Sequence, residues 1–198
     1  MDHNTNTRLD AFSDGVFAIA VTLLVLEIRV PHVEGAAALN AALLAAWPSY
    51  LAYAISFITI GIMWLNHQFL LRLIKPADHI FILLNALLLM LITFLNFPTA
   101  LIAEYAGTPA ARTAAIVYSG TFVIIALGWN VLWRYASYHR RLLRDDVTDA
   151  RVKEINSSYL FAPPLYGLSF IAAFFSVPVS LLIIAGLALF FALTTRDG

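Results

Sequence analysis

The chain has no cysteine in its 198 residues, which excludes disulfides, thiol chemistry and Cys-ligated metals. It is also poor in charge. Asp, Glu, Lys and Arg make up 12% of residues, about half of what a soluble domain carries. Twelve basic and twelve acidic residues cancel, so no global basic excess points to a nucleic-acid partner. The five histidines, His3, His32, His67, His79 and His139, form no HExxH string and no close pair. What the chain does have is apolar surface, with 61% hydrophobic residues and a mean hydropathy of +0.82. A soluble fold of this length cannot bury so much, so lipid must solvate most of it. The class is an all-α integral membrane protein.

A membrane-spanning helix needs about 20 mostly apolar residues. Six windows meet that length, at about 9–29, 45–70, 79–103, 112–134, 157–176 and 179–195, within one domain covering 1–198. The punctuation between them is "RVPHVEG", "RLIKPAD", "EYAGTPAAR", the polar "HRRLLRDDVTDARVKE" and the short "SVPVS". Pro163 and Pro164 predict a kink or a late start in the fifth window.

Basic residues orient the windows. With the N-terminus in the cytoplasm, Arg8, Arg72, Lys75, Arg134, Arg140, Arg141, Arg144, Arg151, Lys153 and Arg196 fall inside, and only Arg29 and Arg112 outside. Both termini are therefore expected on the cytoplasmic side. Trp129, Trp133, Tyr135 and Tyr138 read as an interfacial belt at the inner end of the fourth window, and Trp47 with Tyr50 as one at the outer end of the second.

The first window, "RLDAFSDGVFAIAVTLLVLEIRV", is the informative one. A cleaved leader is the competing reading, but Arg8 is a thin basic region and "FSDG" interrupts the approach to the apolar stretch. At about 100° per residue, Ile19, Leu23, Leu26 and Val30 fall on one stripe with Thr22 at its edge, and Asp14 lies opposite Leu23. Lipid contact or core packing explains most such stripes. A carboxylate inside a membrane is costly and needs a partner. Arg8 precedes Asp14 by six residues and does not share its face, so the partner must come from another helix. The late second window, "WLNHQFLLR", reaches the same depth, which lets Trp64, Asn66 and His67 meet Arg8, Ser13 and Asp14. A Ser13–His67–Asp14 hydrolase has neither a nucleophile elbow nor an oxyanion donor. A metal site on His67 and His79 is equally weak, so no metal or catalytic residue is assigned.

The segment Arg8, Phe12, Ser13, Asp14 and the following G-x-F-A-I-A run, with Trp64 and His67 later, resembles the transmembrane protein 175 family of potassium channels. The resemblance implies a homotetramer of six-helix units around a central pore lined by the first helix. It implies a constriction made by Ile19, Leu23 and Leu26, with Thr22 as a polar layer, and no TVGYG-type filter, a string this chain lacks. It also implies that Arg8, Phe12, Ser13 and Asp14 hold the pore helix and do not touch the ion. Glu27 near the outer mouth is either a cation-concentrating ring or a plain interfacial carboxylate.

The expected function is passive conduction of K+ and other monovalent cations, with modest K+ over Na+ preference and no cofactor. The chain is not expected to be an enzyme. A proton-coupled transporter using Asp14 and His67 is the runner-up, although no internal repeat or midplane charge supports it. The single-unit form implies a prokaryotic plasma membrane, by resemblance alone.

Overall fold

The computed structural model describes residues 3–194, which form eight α-helices and two short 3-10 turns. The helices are α1 (His3–Leu23), α2 (Ala36–Ala45), α3 (Trp47–Arg72), α4 (His79–Phe94), α5 (Asn96–Tyr105), α6 (Ala111–Ser137), α7 (Asp149–Ala173) and α8 (Val177–Thr194). The 3-10 turns are Leu24–Glu27 and Tyr138–Arg140.

Local chemistry sets several of these boundaries. Asp78 caps α4 by accepting from the Phe81 amide at 2.9 Å. Thr148 caps α7 by accepting from the Arg151 amide at 3.3 Å. Gly35, at φ +87, makes the turn into α2 in a backbone region that disfavours side chains. The third window divides into α4 and α5 at Leu95, three residues before Pro98, which has no amide hydrogen to donate back to Phe94.

Six membrane spans were expected, and the structure corrects that number. Four segments among the described residues are long and apolar enough to cross a bilayer: Asn6–Glu27, Trp47–Arg72, His79–Tyr105 and Ala111–Arg140. The fifth window belongs to α7, which starts well before it at Asp149. Arg151, Lys153 and Glu154 occupy its early turns, and Asn156, Ser157, Ser158, Pro163 and Pro164 dilute the rest. Among the described residues the apolar stretch of α8 that qualifies, Val177–Phe191, is shorter than a span.

Helix α6 is the structural axis, packed by α4, α5, α7 and α8. Its Tyr118, Phe122, Ile125, Leu132 and Trp133 are buried. Trp129 and Trp133 are also core residues, so the belt expected there does not form from them. Trp133 donates to Asn156 Oδ1 at 2.6 Å, and Trp129 stacks on Tyr159. Tyr138 and Trp47 are exposed, as interfacial aromatics would be.

Helix α7 runs through Pro163 and Pro164. Pro163 cannot donate to the Tyr159 carbonyl one turn back, and Asn130 Nδ2 donates to that oxygen at 2.6 Å. A buried Ser56–Thr99 hydrogen bond of 2.9 Å and a Ser56–Tyr118 bond of 3.1 Å tie α3, α5 and α6 together. Ser169 donates to the Ser180 carbonyl at 2.9 Å and pins the α7–α8 hairpin.

One end of the bundle gathers the basic residues. Asn6 accepts from the Ala77 amide at 2.8 Å, Lys75 donates its amide to Leu142 at 2.7 Å, and Tyr135 donates to Asp78 at 2.6 Å. These bonds place the start of α1, the α3–α4 loop and the 138–148 loop on one face. His139 and Arg140 adopt consecutive left-handed conformations at φ 48 and 55, each costing roughly 1–2 kcal/mol. The turn they make is held by Arg140, which donates to the Val147 carbonyl at 2.6 Å and pairs with Asp149. The opposite face carries the Arg29–Glu104 pair at 3.0 Å. Arg196 lies outside the described residues.

A candidate pore helix and its polar anchor

Helix α1 has two unlike faces. Leu9, Ser13, Phe17, Ala20 and Leu24 are buried against the bundle, where α1 packs on α3 and α4. The other face is bare. Ile19, Leu23 and Leu26 are 58%, 44% and 70% exposed, while Phe17, Ala20 and Leu24 between them are 2%, 0% and 0% exposed. The same open face continues through Arg8, Phe12, Gly15 and Thr22.

After Leu23 the helix tightens to a 3-10 turn over Leu24–Glu27, and Ile28 is extended. Residues three apart eclipse in a 3-10 turn, so Leu26 stands directly over Leu23. Val30, expected on the same helical stripe, lies beyond the helix end. Thr22 Oγ1 donates to the Ala18 and Ile19 carbonyls at 2.9 and 3.0 Å. Its proton is thereby committed to the helix, and its acceptor lone pairs stay available on the open face. Glu27 is half-buried at the end of the turn.

The polar entry residues point into the bundle. Asp14 Oδ1 accepts from Trp64 Nε1 at 2.8 Å and also from Gln68 Nε2, which reaches Asp10 Oδ1 at 3.0 Å. Asp10 and Asp14 are one turn apart on α1, as Trp64 and Gln68 are on α3, so two faces meet in register. The donors are neutral, so the carboxylate of Asp14 is held by dipoles and not by a countercharge.

His67 takes a different route from the one expected. It is fully buried, and its Nε2 bonds Asn85 Oδ1 at 2.7 Å, while Asn85 Nδ2 donates to Ser13 Oγ at 3.1 Å. The hydrogen-bond route from His67 to α1 thus runs through Asn85 of α4 to Ser13, and among the described residues no hydrogen bond joins His67 to Asp14. Its ring lies 5.4 Å from Phe17 and 6.1 Å from Trp129.

Three expected members lie apart. Asn66 faces a groove bounded by α6, α7 and α8, on the side of α3 away from Asp14. Arg8 is exposed and makes no hydrogen bond or ion pair among the described residues, and Phe12 is exposed on the open face. The members that sequence reasoning missed are Asp10, Gln68 and Asn85. Asn85 was legible as the one polar side chain inside "IFILLNALLLMLI". Among the described residues no group of three His, Asp or Glu side chains is placed to hold a metal ion.

Residues 8–95, which contain most of α1, the anchor and α4, match the family model described as the endosomal/lysosomal potassium channel TMEM175. A potassium channel of Chamaesiphon minutus is 48% identical over 191 residues, covering 96% of this chain and 94% of its own length. A potassium channel of Streptomyces collinus is 42% identical over 175 residues, covering 86% of this chain and 85% of its own. The fold superposes, with a TM-score of 0.88 and 46% identity, on the crystal structure of a lysosomal potassium-selective channel TMEM175 homolog from Chamaesiphon minutus, covering 97% of this chain and 98% of that one. An ion-channel family of integral membrane proteins, not an enzyme family, accounts for the apolar helices. This chain belongs to the TMEM175 family.

Proposed function

We propose that the chain is one subunit of a passive potassium-permeable channel, in which four copies turn the open faces of α1 toward a shared axis. The observation that carries this reading is the bare apolar stripe on a helix otherwise packed in the bundle. Ile19, Leu23 and Leu26 lie exposed in one row on α1, and a water-filled path between copies gives that row a role. Four copies make stacked rings of Ile19, Leu23 and Leu26, with Thr22 hydroxyls beside them. Apolar rings close by dewetting and open by slight widening, with no charged plug. Selectivity in such a pore comes from width and dehydration cost, so K+ is preferred over Na+ only modestly. Glu27 sits at the outer mouth, close enough to raise the local cation concentration. The relatives named as potassium channels support the choice of ion.

The gathering of Arg72, Lys75, Arg140, Arg141, Arg144, Arg151 and Lys153 at the end of the bundle that holds the start of α1 supports a cytoplasmic placement of that end in a plasma membrane. Asp14 is engaged by the neutral donors Trp64 and Gln68, which suits an anchor better than a proton-coupled carrier.

The test is reconstitution of purified protein in liposomes under a K+ gradient. The channel reading predicts flux that runs down to the K+ equilibrium potential without any proton gradient. Flux that appears only against an opposing proton gradient overturns it in favour of a transporter.

A further inference from the structure

Arg151 borders two depressions at once. One is an elongated groove of about 630 Å³ between α3, α6, α7 and α8. Its deep part is aromatic, with Phe122 stacked on Tyr166 and Tyr166 on Phe191. Its end nearest the basic face is polar, where Asn66, Ser157 and Ser158 sit with Arg151. The other depression is a shallow notch lined by Arg72, Arg144, Asp146, Thr148 and Arg151. An apolar trough thus runs into a cluster of three guanidinium groups at the level where a headgroup would lie.

The charges around the notch do not cancel. Asp146 pairs with Arg144 at 3.1 Å, and Glu154 pairs with Arg151 at 2.7 Å. Arg72 is exposed and has no ion pair among the described residues. Three cations face two carboxylates. The Arg151 guanidinium also lies 4.9 Å over the Phe69 ring, which fixes it at the lip of the groove. Basic pockets beside membrane helices on the cytoplasmic side take anionic headgroups, and guanidinium groups match a phosphate's paired oxygens.

We propose that this groove and notch form a binding site for an anionic glycerophospholipid, with the phosphate at Arg72, Arg144 and Arg151 and an acyl chain against Phe161, Tyr166 and Phe191. A zwitterionic lipid fits the trough but adds no net charge to satisfy the surplus cation. A soluble phosphate fits the notch but leaves the aromatic trough unfilled. Because α7 and α3 both line the site and α3 anchors α1 through Trp64, an occupied groove braces the helix that holds the pore face.

The experiment needs no conduction, so its outcome is separable from the channel reading. The full-length protein in detergent is offered phosphatidylglycerol or phosphatidylcholine with the same acyl chains, and retained lipid is counted by native mass spectrometry. The site predicts preferential retention of phosphatidylglycerol and a drop of about fivefold in that retention for Arg72→Ala, the size expected for one interfacial charge. Ser158→Trp, an exposed position that fills the groove mouth without altering charge, should lower retention of both lipids. Excess glycerol phosphate should fail to displace phosphatidylglycerol. Equal retention of the two lipids overturns the proposal. So does retention indifferent to both substitutions, and displacement by glycerol phosphate would reduce the site to a soluble-anion notch.

Discussion

Trp64 Nε1 donates to Asp14 Oδ1 at 2.8 Å, joining α3 to α1 where a carboxylate enters the apolar layer. A charged group placed at membrane depth costs several kcal/mol unless it is paired or wetted. The indole and the Gln68 amide supply that pairing with neutral dipoles, so the residue that looks most reactive in the first helix is committed to holding it.

Trp64→Phe keeps an aromatic side chain, though a smaller one, and deletes the donor, so it should destabilise the protein by about 1–3 kcal/mol, the cost of leaving a charged acceptor short of one bond. Asp14→Ala deletes the acceptor for both Trp64 and Gln68 and should lower the melting temperature further, with loss of assembled protein on size exclusion. In whatever protein survives, K+ over Na+ preference should be nearly unchanged. A well-assembled Asp14→Ala protein with altered preference would place Asp14 in the ion path.

The Asn130 bond to the Tyr159 carbonyl substitutes for the one Pro163 cannot make. Asn130→Ala should therefore cost about 1 kcal/mol or more by orphaning a part-buried carbonyl. In a Pro163→Ala background the backbone amide restored at that position can close the helical bond itself, so the same Asn130 substitution should cost much less. Additive effects in the double variant would show that the two positions do not share that oxygen.

Asp78 predicts an acid limit to stability. Partial desolvation acts to raise its pKa, but the Tyr135 hydroxyl, the Phe81 amide and the Arg141 guanidinium together hold it below the usual carboxylate value. A depressed carboxylate stabilises the fold fully above its unfolded-state pKa and loses that contribution as pH falls through its folded value. Melting temperature should therefore fall below about pH 4 in the wild type. Asp78→Asn should be less stable at neutral pH and should flatten that acid limb; an unaltered limb would move its origin to other acids.

The depth of "WLNHQFLLR" predicts Trp64, Asn66 and His67 as partners, because antiparallel neighbours bring their same-side ends together, and of these Trp64 bonds Asp14. It could not separate Asn66, His67 and Gln68, since consecutive helical residues point about 100° apart and only packing decides which faces α1. That is why Gln68 holds Asp14 while Asn66 turns to the groove and His67 bonds Asn85. The apolar stripe of Ile19, Leu23 and Leu26 was legible from periodicity, but the 3-10 turn that stacks Leu26 on Leu23 leaves no mark in an apolar run. Hydropathy counted six windows because it averages over charge placement. The early charges and paired prolines of α7, and the short described apolar stretch of α8, leave four qualifying spans among the described residues.

Ile19→Ala removes most of one proposed constriction ring while leaving the buried side of α1 intact. Conductance in planar bilayers should rise, or K+ over Na+ preference should relax. The same substitution at Val25, exposed but off the Ile19–Leu23–Leu26 line, should do little. Unchanged current for Ile19→Ala would mean that the stripe is not the narrowest point.

The absence of cysteine makes the most direct test simple, because every introduced thiol is the only one in the chain. Single Cys substitutions at Ile19, Leu23 and Leu26, and at the buried Phe17, Ala20 and Leu24, are reconstituted and treated with a charged thiosulfonate during K+ flux. The account predicts that modification at the first three alters flux, that K+ slows the reaction there, and that the buried three stay unreactive. Flux indifferent to modified thiols at Ile19, Leu23 and Leu26 would contradict the claim that the open face of α1 lines the ion path.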